Sequence, residues 1–128
     1  MNDDFLTIYV CSRYSGDCEV YSNFARQYCR AITLAGHLPI APHIYFTRFL
    51  DDNKKEERAL GLDFGIKLLA ICDELWVFGG PSEGMSKEIK FWREHYDPEC
   101  IRYLAEADFS GLQKLLTLYK KKGENGEN

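Results

Sequence analysis

No apolar run in this 128-residue chain approaches the ~18 residues that a membrane-crossing helix needs. The start, Met1-Asn2-Asp3-Asp4, is acidic and runs straight into a β-rich segment, so it does not read as a signal peptide. Cysteine occurs at 11, 18, 29, 72 and 100, an odd count without CxxC spacing, which gives neither a disulfide framework nor a zinc site. Buried thiols in a reducing compartment are expected, hence a cytoplasmic protein without membrane contact. No one-signed block exceeds Lys120–Lys122 and the net charge is −4, so the chain lacks the electrostatic footprint of a nucleic-acid binder. There is no internal repeat and no linker. One domain over 1–122 is expected, with a disordered tail at 123–128.

Hydrophobic spacing predicts alternating strands and helices. Phe5–Cys11 reads as a buried strand, followed by turn chemistry at Ser12–Asp17, with Asp17 as a helix cap. Cys18–Ala35 is apolar at helical spacing, and Gly36 suits the end of that helix. Leu38–Ala41 is a short strand, and Pro42–Asn53 a long connection. Helix Glu56–Ile71, strand Cys72–Phe78, helix Ser82–His95 and strand Cys100–Leu104 follow. Ser110, with Gln113 in a capping box, opens a last helix running to Lys120. This order predicts an α/β fold: a single-domain Rossmann-like (flavodoxin-like) parallel sheet with helices on both faces. Ligands of such sheets bind beyond the strand C-termini, which selects the loops Ser12–Asp17, Pro42–Asn53 and Gly79–Gly84.

Gly79-Gly80-Pro81-Ser82-Glu83-Gly84 joins a strand to a helix. Its glycines admit close approach of a ligand, and the helix start with the Ser82 hydroxyl suits a phosphate or carboxylate. Ser82 equally suits a plain N-cap. Glu88 lies six positions further on, where a carboxylate could stand beside a sugar and attack its anomeric carbon. His43, at the end of the second strand, can bind phosphate or donate a proton, or simply bond a loop carbonyl. His37 and His95 read as structural. Tyr45 and Phe46 are placed to contact a flat base. Asp51 and Arg58 suggest a loop-closing ion pair, and Trp76 and Phe78 read as core.

The segment Pro81-Ser82-Glu83-Gly84-Met85-Ser86-Lys87-Glu88-Ile89 resembles the catalytic motif of the nucleoside 2-deoxyribosyltransferase superfamily, closest to the branch hydrolysing deoxynucleoside 5′-monophosphates. The resemblance implies phosphate contact by Ser82 and nucleophilic attack by Glu88. Ser82, where the transferase branch usually has Asp, favours a phosphorylated ligand. Tyr9 and the turn Ser12-Arg13-Tyr14-Ser15-Gly16 match the ligand-holding first loop, Arg13 as a phosphate partner. From Tyr9 to about Tyr103 the chain is similar to uncharacterised bacterial and phage deoxyribosyltransferase-like proteins. The stretches that carry this include Gly36–Tyr45, Cys72–Gly79 and Ser82-x-Gly84-Met85-x-x-Glu88. The expected ligand site is therefore Tyr9, Ser12, Arg13, His43, Tyr45, Gly79, Gly80, Ser82, Gly84 and Met85 around Glu88, with no metal or cofactor, in a homodimer or larger homo-oligomer. The characterised enzymes carry an auxiliary Asp eight residues before the strand's Asp. Here that position is Gly65, and Asp63 is the candidate substitute. The departure opens a second reading: a non-catalytic binder, possibly of phage origin, that captures a nucleotide or nucleotide-derived signal.

Overall fold

The computed structural model describes residues 4–14 and 18–119. The expected cap at Asp17, the Lys120–Lys122 helix end and the 123–128 tail lie outside the described residues. The elements are β1 (Thr7–Ser12), α1 (Cys18–Leu34), β2 (Leu38–Ile40), α2 (Pro42–Phe46), α3 (Lys55–Leu69), β3 (Glu74–Phe78), α4 (Glu83–His95), β4 (Ile101–Leu104) and α5 (Phe109–Leu118). All strands pair in parallel in the order β2-β1-β3-β4. This is the single-domain Rossmann-like architecture, in flavodoxin-like order, that the alternating elements predict. No helix among the described residues is long and apolar enough to cross a membrane.

Strand alternation sorts the core into two layers. Ile8, Val10, Trp76 and Phe78 face α1 and α5 through Tyr28, Ile32, Leu112 and Leu116. Tyr9, Cys11, Leu75 and Val77 face α3 and α4 through Leu69, Met85 and Trp92. Trp76 and Phe78 are thus core residues, as expected. His37 is also structural: its buried Nδ1 accepts the Leu6 N–H at 3.0 Å, at the start of β1. Among the cysteines Cys11 is buried but Cys18 is exposed, which corrects the expectation of uniformly buried thiols.

Two local expectations are overturned. The Pro42–Asn53 connection is not all loop, because Pro42 fixes the first turn of α2. Thr47 Oγ1 then donates to the His43 carbonyl at 2.5 Å. The cap of α5 is Asp108, not Ser110. Asp108 Oδ1 accepts the Gly111 N–H at 2.8 Å, and Ala107, at φ 59°, turns the chain into that cap. Gly36 does end α1 with φ 95°.

Gly79 has φ 87°, and a Cβ there would lie 3.1 Å from Glu106 Cβ. Gly79→Ala adds left-handed strain to that contact and is expected to cost about 2 kcal/mol. Urea unfolding checks this; an unchanged midpoint would show that the turn relaxes freely.

Candidate functional site

The chain leaves β1 at Ser12, β2 before Pro42 and β3 before Gly79 on one edge of the sheet. A cavity of about 100 Å³ opens there, between the strand ends, α2, α3 and α4. Its volume is below the roughly 300–1,000 Å³ of drug-sized ligand sites, the size of one small ring rather than of a whole ligand. Its polar lining includes Ser12, His43, Ser82 and Glu88, together with Asp52, Glu57 and Arg58. Phe46, Leu50, Leu62 and Met85 form an apolar wall.

Glu88 lines the cavity. It is only partly exposed, and its Oε2 accepts a 2.6 Å hydrogen bond from the Tyr9 hydroxyl. Burial raises its carboxyl to a pKa of about 7; the hydrogen bonds from Tyr9 and Cys11 oppose this without cancelling it. Burial, reinforced by the Glu88 charge, raises both the Tyr9 hydroxyl and the Cys11 thiol, so both stay protonated as donors. Ser12 Oγ and His43 Nε2 lie 3.0 Å apart and share a hydrogen bond whose direction follows the His tautomer. Burial lowers His43 to a pKa of about 4, so it is neutral at pH 7. Ser82 caps α4, accepting the Met85 N–H at 3.3 Å, while also lining the cavity.

Ser12, His43, Ser82, Gly84, Met85 and Glu88 therefore meet on one cavity, with Tyr9 bonded to Glu88. Five expected residues do not join them. Arg13 is exposed, its guanidinium 5.6 Å from the Tyr21 ring centre. Tyr45 is 61% exposed and packs on Phe46 and Phe49, while Phe46 and Tyr14 line the cavity. Gly79 borders a shallow groove on the other side of α4, with Ser86 and Tyr103. Gly80 also lies off the cavity lining. Asp63, the candidate auxiliary acid, lies off the cavity lining as well: it is exposed and pairs with Lys67 at 3.0 Å. Two residues of helix rotate a side chain by ~200°, so Asp63 faces water while Gly65 faces inward. A Cβ on Gly65 would lie 3.2 Å from the Tyr9 hydroxyl and 3.8 Å from Glu88 Oε2.

Sequence reasoning missed Asp52, Glu57, Arg58 and Gly65 as cavity residues. The signal was the spacing of Arg58, Gly61, Leu62 and Gly65, which share one face of α3. The ion pair that closes the 51–54 turn is Asp52–Arg58 at 3.2 Å rather than one through Asp51.

The fold and cavity define a small parallel α/β protein with a half-buried carboxylate at the strand C-termini, the usual ligand position in this architecture. The chain belongs to a domain family of unknown function, DUF7768, whose model matches residues 6–101, three quarters of its length. No curated protein and no solved structure matches the chain.

Proposed function

We propose that this protein cleaves or transfers the N-glycosidic bond of a nucleoside or nucleotide, with Glu88 as nucleophile. The observation that carries the reading is the Glu88 carboxylate, held by Tyr9 on the wall of the cavity at the strand C-termini. The resemblance of residues 81–89 to the deoxyribosyltransferase motif supports it. Glu88 would bond to the anomeric carbon as the carbon–nitrogen bond breaks, and the departing base would take a proton from solvent. Water, or the nitrogen of a second base, would then displace Glu88. The Ser12–His43 pair offers a neutral donor and acceptor for a sugar hydroxyl. A 5′-phosphate would rest on Ser82 and the start of α4. The lining brings three carboxylates and one guanidinium, so this phosphate contact rests on that helix start.

Incubation with deoxynucleosides and their monophosphates, with chromatography for free base, tests the reading. Base release by wild type is expected; release that persists undiminished in Glu88→Ala would overturn it. Only ionised Glu88 is nucleophilic, so kcat/KM is expected to rise with pH through about 7. Tyr9→Phe removes a donor to the carboxylate, so this limb is expected to move to higher pH. A pH–rate profile identical to wild type would exclude that role for Tyr9.

A second reading is capture without cleavage, favoured by Gly65 where the resembled enzymes have an acid. It predicts that intact ligand is recovered from the denatured protein. We also propose a cytoplasmic homodimer; light scattering at the mass of one chain would exclude the dimer.

A further inference from the structure

We propose that Asp52 and Arg58 form a subsite that reads the hydrogen-bonding edge of a nucleobase. The inference rests on the glycosidic reading of Glu88. Gly65 lies against Glu88, and Arg58 stands seven residues earlier on the same face of α3. Seven helical residues span ~10 Å along the axis. Glu88 and Arg58 thus stand at separate places on one cavity, which a base joined to a sugar at Glu88 would bridge. Phe46, Leu50 and Leu62 supply the apolar wall such a ring needs.

The pair is built to present its polar atoms. Asp51 Oδ1 accepts the Asn53 N–H at 3.0 Å, and Glu57 Oε1 accepts the Asp51 N–H at 2.7 Å. These bonds fix the turn that carries Asp52, making Glu57 a positioning residue. Arg58 Nη1 donates to Asp52 Oδ2 at 3.2 Å, which uses one of the five guanidinium N–H donors. A carboxylate acceptor beside a guanidinium donor complements any base edge that carries an N–H next to a carbonyl or ring nitrogen. Side chains more than one third exposed make weak structural ion pairs, so stability alone gives little reason for this one.

The full-length Glu88→Gln protein can be titrated calorimetrically with the four natural 2′-deoxynucleosides, their 5′-monophosphates, purine 2′-deoxyriboside and 2-deoxyribose. Purine 2′-deoxyriboside has the ring nitrogens but no exocyclic donor. At least one natural deoxynucleoside is expected to bind roughly 10- to 100-fold more tightly than it. Asp52→Ala is expected to abolish that difference while leaving purine 2′-deoxyriboside affinity unchanged, and Arg58→Met, made separately, to weaken every ligand that carries a base while leaving 2-deoxyribose unaffected. The charge exchange Asp52→Arg with Arg58→Asp keeps an ion pair, and is expected to keep the melting temperature while losing the preference. Equal losses for every ligand, or no loss, would overturn the subsite and leave the glycosidic reading intact. If no deoxynucleoside and no deoxynucleoside 5′-monophosphate binds the Glu88→Gln protein, the glycosidic reading falls and the subsite falls with it.

Discussion

Glu88→Gln is expected to lower base release by at least about 10³-fold while leaving the fold intact. Glutamine is nearly isosteric and still accepts the Tyr9 hydroxyl, but an amide does not form the glycosyl ester. The same substitution has a signature in stability. Burial raises Glu88 from its ordinary 4.5 to about 7, so between these values the folded chain holds a proton that the unfolded chain has released. Stability from this group therefore falls as pH rises through the window, by about 3 kcal/mol in full. His43 acts in the opposite sense. Its pKa drops from 6.5 to about 4, so the unfolded chain holds the extra proton and stability rises with pH over that range. The two effects nearly offset each other in wild type between pH 4.5 and 6.5. In Glu88→Gln only the His43 contribution is left, so stability is expected to climb with pH. Urea unfolding at pH 4.5, 5.5 and 6.5 separates the cases; parallel curves for the two proteins would show that Glu88 titrates normally.

Gly65→Ala is expected to reduce kcat/KM by roughly 10-fold with little change in melting temperature. Alanine favours a helix interior over glycine by ~1 kcal/mol. Against that, the new methyl stands 3.2 Å from the Tyr9 hydroxyl, which must give by a few tenths of an ångström. Tyr9 is packed in the core and tied to Glu88, so the displacement passes to the nucleophile. The methyl also covers part of the cavity wall beside Glu88 Oε2. Steady-state kinetics beside a thermal melt checks this. Full activity would mean that the open backbone at 65 is not needed. The bulkier Gly65→Leu is expected to cost about 1–3 kcal/mol by overpacking as well.

These substitutions mark how far the amino-acid order reaches. The alternation of Ile8 and Val10 against Tyr9 and Cys11, and the spacing of Tyr28 and Ile32, state two buried layers and a parallel sheet. Those patterns are local and periodic, so they survive in one dimension. The Ser82-to-Glu88 spacing likewise lies within a single turn and helix, and both residues do reach the cavity. Asp63 and Gly65 show where order fails. Two residues apart in the chain, they face opposite ways, and the helix phase that decides between them comes from packing of α3 on β1 and α4. Arg13 and Tyr45 adjoin residues that line the cavity, Ser12 and Phe46, and still point away from it.

The sequence by itself determined the sheet, its helices, and the strand-to-helix turn that carries Ser82 and Glu88. Only the tertiary structure decided that Tyr9, seventy-nine positions away, donates to Glu88, and that Gly65 leaves room for the pair. It also decided that Asp52 and Arg58 share the cavity. The physical reason is that burial sets the proton affinity of Glu88, and burial is a sum over elements distant in sequence.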